Sequence, residues 1–126
     1  MAFRLEKEKT NSTPYVLIDE EKGYMKLVGR SFHENVAVFY ADVNDWLDTY
    51  LKKDFGSLTF DFEMNYFNSS TSKLLHNLLM KMDKYASEKN KVVVNWITTE
   101  DNDIIIECGE DFQEEIQNLE FNMIIR

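Results

Sequence analysis

The alternation of apolar and polar residues predicts most of the secondary structure of this chain. Residues 58–66 alternate at every second position, as expected of a strand with one buried face. The side chains expected on that face are Leu58, Phe60, Phe62, Met64 and Tyr66. Apolar residues at helical spacing predict one helix up to about residue 53, a second starting in the cluster 69–72, and a third over residues 104–118.

The remaining segments predict a hairpin and two more strands. Residues 15–18 and 24–29 flank a polar turn and form the hairpin, while 92–97 and 121–125 are apolar strand segments. Residues 1–13 are polar and are expected to lead into the fold. The order is β-β-α-β-α-β-α-β, which predicts an α/β fold with a mixed sheet of about five strands covered by helices. No repeat or second domain is visible, so 1–126 is expected to form one domain.

Two helix starts carry capping chemistry. Ser31 and Glu34 have the spacing of a capping box ahead of the first helix, and Asn35 is a second candidate for the cap. The second start holds four consecutive hydroxyls, Ser69, Ser70, Thr71 and Ser72, directly after a strand and Asn68. The first N–H groups of a helix lack internal acceptors and favour a negative group. A phosphate on this cluster would add about −1.5 to −2 charges. The alternative is that the hydroxyls only cap the helix.

The charge and composition limit the range of functions. The chain has 126 residues, 44% of them hydrophobic, and a formal net charge of −9. Such a surface disfavours binding to nucleic acid or to anionic membranes, and suits basic patches on partner proteins. The single cysteine allows no internal disulfide, and no apolar run reaches the length of a signal peptide or a membrane span. A cytoplasmic location is therefore expected.

Other candidate sites are weaker. Residues 100–120 hold nine acids and no Lys or Arg. The first interpretation is a solvated acidic face, and the second is a surface that contacts a basic partner. A metal site or an acid-based hydrolase ranks last. His33 and His76 lie in no ligand-spaced motif, and Cys108 reads as a buried thiol. The four glycines are scattered, so no phosphate-binding loop is formed. No cofactor, metal or catalytic residue is predicted.

Several motifs in order resemble the SiaC family of regulatory phosphoproteins, which are related in shape to anti-sigma-factor antagonist (STAS) domains. The resemblance runs nearly end to end and is most specific over residues 66–73. The other matching segments are 12–14, 29–35, 39–40, 46–47, 50–51, 94–96, 100–103, 109–112 and Phe121.

The resemblance implies a non-enzymatic signalling switch. In that family a dedicated Ser/Thr kinase phosphorylates the hydroxyl residue directly after the Asn, and a metal-dependent Ser/Thr phosphatase reverses this. The unphosphorylated form binds and activates a diguanylate cyclase, which raises cyclic di-GMP. The acceptor here becomes Ser69, with Ser70 as the alternate.

The partner-binding residues that the resemblance implies are Asn68, Ser69, Ser70, Thr71 and Lys73. The family usually has Thr where this chain has Ser69, and Pro where it has His33. The runner-up hypothesis is a constitutive protein-binding adaptor whose hydroxyl cluster is only a helix cap.

Overall fold

The computed structural model describes residues 2–126. It contains one mixed sheet with helices packed against it, which confirms the predicted α/β class. The elements are β1 (Arg4–Lys7), β2 (Tyr15–Asp19), β3 (Tyr24–Ser31), α1 (Val36–Phe39), α2 (Ala41–Tyr50), β4 (Ser57–Phe67), α3 (Ser69–Tyr85), β5 (Lys91–Thr98), α4 (Asp103–Glu115) and β6 (Glu120–Ile125).

The sheet order follows the chain, β1-β2-β3-β4-β5-β6. The first three strands are antiparallel neighbours, and β3 to β6 are parallel. The connections from β3 to β4, β4 to β5 and β5 to β6 all step in the same direction along the sheet. Connections between parallel strands are right-handed as a rule, so these three are expected to lie on the same face. The burial pattern agrees, because alternate residues of β2 to β5 are fully buried under the helices while those between them stay half-buried on the other face.

Aromatic packing fills the space between the sheet and the helices. Phe62 and Trp96 lie on neighbouring strands and stack with ring centroids 4.0 Å apart. The indole N–H of Trp96 donates to the carbonyl of Ile105 at 2.9 Å, which ties α4 to the sheet. Trp96 and Trp46 are both buried in this core.

The sheet has six strands instead of five, because residues 4–7 form the edge strand β1. This segment was expected to be only a polar lead into the fold. It alternates exposed and half-buried residues and pairs along β2. Charged side chains are common on edge strands, where they discourage pairing with other chains. Backbone pairing rather than apolar content therefore makes this segment a strand.

The strict alternation predicted for β4 breaks at a bulge. Gly29 pairs with Met64 and Arg30 with Tyr66, so Asn65 is an extra residue on β4. A bulge redirects the side chains that follow it. Tyr66 is therefore exposed, and its predicted place in the core is wrong. Phe67 turns inward instead and lies edge-on to Phe62, with ring centroids 5.8 Å apart.

The first helix differs from the prediction in two ways. It divides into α1 and α2 at Tyr40, instead of running unbroken to residue 53. Its cap is Asn35, whose side chain accepts from the N–H of Val38 at 3.4 Å. The capping box of Ser31 and Glu34 is wrong, because Ser31 is the last residue of β3 and is buried.

The later helices follow the predicted pattern with one shorter end. α3 begins at Ser69, inside the hydroxyl cluster as predicted. α4 ends at Glu115 instead of residue 118. The backbone N–H groups of residues 117–119 donate to the carboxylate of Asp83 and not to carbonyls of α4. Between residues 2 and 126, no helix combines the length and apolar character that crossing a membrane requires.

Candidate functional site

The candidate site lies at the first turn of α3, where β4 ends. Asn68 is the N-cap, and its side-chain oxygen accepts from the N–H of Thr71 at 2.9 Å. The backbone N–H of Asn68 donates to the carbonyl of Ser31 at 3.1 Å, and its carbonyl accepts from Ser72 at 2.9 Å. The cap is therefore held by the neighbouring strand on one side and by its own helix on the other.

The four hydroxyls of the cluster have different environments. Ser69 and Ser70 are exposed, as a kinase requires of its acceptor. Thr71 is 0% exposed and lies beneath them, so it supports the helix tip without reaching the surface. Ser72 is half-buried beside Cys108, a thiol whose pKa is raised by burial. Lys73 is exposed one turn along the helix.

The electrostatics of this helix tip favour an anion. The first turn of α3 contains no acidic residue, whereas α2 and α4 carry Asp42 and Asp103 in theirs. Asn68 takes only the N–H of Thr71, and the first N–H groups of a helix have no acceptor within it. A phosphate on Ser69 or Ser70 would thus meet free donors and the positive end of the helix dipole.

Exposed apolar side chains gather at the same edge of the sheet. The described residues contain six exposed large apolar side chains, and five lie on or after the carboxyl ends of the parallel strands, as Ser69 does. These five define the carboxyl-edge patch: Phe32, Val38, Tyr66, Ile104 and Ile125. Exposed apolar side chains along one edge of a sheet are typical of protein-binding surfaces.

Tyr66 and Phe32 are the members of this patch that contact each other, and they lie close in sequence to Asn68 and to Ser31, whose carbonyl accepts from the N–H of Asn68. Their rings meet edge to face at 5.8 Å, and the guanidinium of Arg30 lies 5.2 Å from the Phe32 ring centre and 5.9 Å from that of Tyr66. Sequence reasoning missed this group, since it placed Tyr66 in the core. Tyr66 is exposed because the pairing of β4 with β3 shifts by one residue after Gly29, and no local sequence pattern predicts that shift.

The acidic side chains of residues 100–120 are exposed. Within the described part of the chain, no group of three or more His, Cys, Asp or Glu side chains is placed to hold a metal ion. Asn102 caps α4 and its side-chain amide donates to the carbonyl of Asn65 at 3.0 Å, so this segment braces the β4 bulge. Asp101 and Asp103 are exposed beside it.

The two histidines are held in separate local contacts. His33 accepts from the N–H of Asn35 at 2.9 Å and stacks on Phe39. His76 contacts Glu115 at 3.0 Å between α3 and α4. Each imidazole is thus engaged with a group other than the exposed serines of the helix tip.

The fold and the site define an α/β protein that displays an exposed hydroxyl pair at a helix tip, at the same edge of the sheet as the carboxyl-edge patch. The chain belongs to the SiaC family of regulatory phosphoproteins, whose family model matches residues 7–126. It is 26% identical over 106 residues to an uncharacterized protein of Pseudomonas aeruginosa strain UCBPP-PA14, covering 84% of each chain.

Solved structures of SiaC from Pseudomonas aeruginosa share this fold. One has a TM-score of 0.87 at 23% identity and covers 98% of this chain and 99% of its own. Another, of SiaC in complex with the diguanylate cyclase SiaD that it activates, has a TM-score of 0.88 at 24% identity, with 97% and 99% covered. At these identities the likeness establishes the fold.

Proposed function

We propose that this protein is a non-enzymatic switch whose docking on an effector protein is controlled by reversible phosphorylation of Ser69, with Ser70 as the alternate acceptor. The single observation that carries the proposal is the exposure of Ser69 directly after the N-cap Asn68, at a helix tip that bears no acid in its first turn. Membership of a family of regulatory phosphoproteins supports the same role.

The carboxyl-edge patch is the proposed docking surface. A phosphate on Ser69 would bring about −1.5 to −2 charges three residues along the chain from Tyr66, whose side chain is 47% exposed. A partner that covers Tyr66 would have to desolvate this charge, which is costly unless a cation meets it. The proposal is that the unphosphorylated form docks and that phosphorylation releases it. Asn68, Ser70 and Lys73 border the proposed docking surface, and the buried Thr71 supports the helix tip beneath it.

The proposed partners are a cognate Ser/Thr kinase, a metal-dependent Ser/Thr phosphatase and a diguanylate cyclase as effector, in the cytoplasm. Support for the cyclase is the likeness to the SiaC structure solved with SiaD. The kinase and the phosphatase follow from the family resemblance around residues 66–73. The protein itself contributes a surface and a modifiable hydroxyl, and needs no cofactor.

Intact-mass spectrometry of the protein incubated with its cognate kinase and ATP tests the acceptor. We expect one added phosphoryl group, located on Ser69 by fragmentation. The matched controls are S69A, which should stay unmodified, S70A, which should react as wild type does, and S69T, which restores the usual family residue and should react. Phosphorylation that persists at full extent in S69A would overturn the assignment to Ser69.

A further inference from the structure

Three buried hydroxyls connect the acceptor segment to the first helix. The hydroxyl of Tyr40, at the junction of α1 and α2, donates to Ser31 Oγ at 2.8 Å. Ser31 Oγ lies 2.9 Å from Thr71 Oγ1, and Thr71 Oγ1 donates to the carbonyl of Ser31 at 3.1 Å. The exposed fractions of Ser31, Tyr40 and Thr71 are 1%, 0% and 0%.

Proton counting gives this chain of hydroxyls one direction. Each hydroxyl carries a single proton. Tyr40 donates to Ser31 and Thr71 donates to the Ser31 carbonyl, so the proton between Ser31 and Thr71 comes from Ser31. Burial raises the pKa of Tyr40 to about 12, so its hydroxyl remains a donor at neutral pH. Throughout the described residues, no buried side-chain N or O atom is left without a partner.

The position of these residues is more informative than their stabilising effect. Ala at position 31, Phe at 40 and Val at 71 would fill nearly the same space without a need for hydrogen bonds. Replacing a buried hydrogen-bonded pair by apolar groups of the same shape often changes the free energy of unfolding very little. A fully satisfied polar network instead fixes one relative position of the elements that it joins. Here the elements are the end of β3, the α1–α2 junction and the tip of α3, which carries Ser69 two residues before Thr71.

We infer that Ser31, Tyr40 and Thr71 act as a positioning unit that couples the acceptor tip of α3 to the segment 32–40, so that the two move together. Phe32 directly follows Ser31, and Val38, which is 66% exposed, lies two residues before Tyr40. The unit thereby links the phosphorylation state of Ser69 to two apolar side chains of the carboxyl-edge patch. This last consequence rests on the proposed function, whereas the coupling itself does not.

Amide hydrogen exchange measured by NMR on the unphosphorylated full chain tests the coupling. T71V should speed exchange at the distant amides of Tyr40 and Asn44 by about tenfold, and Y40F should do the same at Ser72, because coupling is reciprocal. All three reporter amides are hydrogen-bonded: the N–H of Tyr40 donates to the carbonyl of Val36, that of Asn44 to Tyr40, and that of Ser72 to Asn68. T71S keeps the hydroxyl and should restore wild-type exchange.

A merely structural role predicts a different pattern. If the hydroxyls only add stability, exchange would accelerate equally across the chain, including β5 and α4, which share no hydrogen bond with the three hydroxyls. That uniform result would overturn the inference, as would unchanged exchange at Tyr40 and Asn44 in T71V. If T71V does not fold, Y40F together with S31A supplies the same comparison.

Phosphorylated protein separates this inference from the proposed function. In phosphorylated wild type, the amide shifts of Val38 and Tyr40 should move, and in phosphorylated Y40F these shifts should move less than half as far. Equal movement in both proteins would overturn the coupling. Failure of Ser69 to accept phosphate would refute the proposed function alone, because the exchange measurements still decide the coupling.

Discussion

Asp83 lies near the end of α3 and offers a sharp test of how the fold is held together. Its carboxylate is buried and accepts from the backbone N–H groups of Gln117, Asn118 and Leu119, at 2.7 to 3.2 Å. These contacts join the last turns of α3 to the loop that leads into β6. Replacement of Asp83 by Ala removes every acceptor at once.

The expected magnitude follows from the exposure of the three donors. Gln117 and Asn118 are exposed, so water replaces the carboxylate there at a cost of about 1 kcal/mol each. Leu119 is buried, so its N–H loses its acceptor, which costs about 1–3 kcal/mol. D83A should therefore lower the free energy of unfolding by about 3–5 kcal/mol. D83N keeps one side-chain oxygen and should cost about 1–2 kcal/mol.

Urea unfolding monitored by tryptophan fluorescence checks this, with an unchanged m-value as the sign that only stability has moved. Ser69 lies 14 residues away on the same helix, about 21 Å along its axis. Folded D83A should therefore accept phosphate as wild type does. A loss below 1 kcal/mol in D83A would refute the reasoning, because it would mean that the buried N–H of Leu119 finds another acceptor.

Three other predictions concern packing, the patch and pH. G109A should lower the free energy of unfolding by about 1–3 kcal/mol in urea titrations, because a Cβ there would lie 2.6 Å from Trp96 Cδ1 and 2.8 Å from Met123 Sδ; wild-type stability would contradict this. Y66A should change stability by less than about 1 kcal/mol yet weaken effector binding at least tenfold by calorimetry, and undiminished binding would remove Tyr66 from the docking surface. Stability should fall as pH rises from about 10 to 12, because the raised pKa of Tyr40 favours the folded state only while Tyr40 is protonated. Y40F should flatten that fall in alkaline urea titrations, and an unchanged pH profile would contradict the assignment.

Local patterns predicted the elements whose signal is local. The alternation from Leu58 to Met64 and the apolar stripe of α3 reflect contacts with a single core, so period and position agree with the structure. The start of α3 was also predictable, because an N-cap depends on residues within one turn. Local residues alone therefore predict that Asn68 and Ser69 lie at a helix tip.

Features set by pairing between distant segments were not predictable in the same way. The bulge at Asn65 depends on the register of β4 against β3, and it turns Tyr66 out of the core. Ser31 has the spacing of a helix cap, but its hydroxyl meets Thr71, forty residues further along the chain. The strand β1 has no apolar signature and forms because β2 offers it a free edge.

The affinity of the purified effector for this protein, with and without phosphate on Ser69, tests the central claim most directly. We propose a diguanylate cyclase as that effector, so titration calorimetry with the cognate cyclase is the assay. The account predicts that phosphorylation weakens binding at least a hundredfold and that S69A binds as the unphosphorylated protein does. Equal affinities for the phosphorylated and unphosphorylated forms would contradict it, and would leave a constitutive adaptor whose hydroxyls serve only as a helix cap.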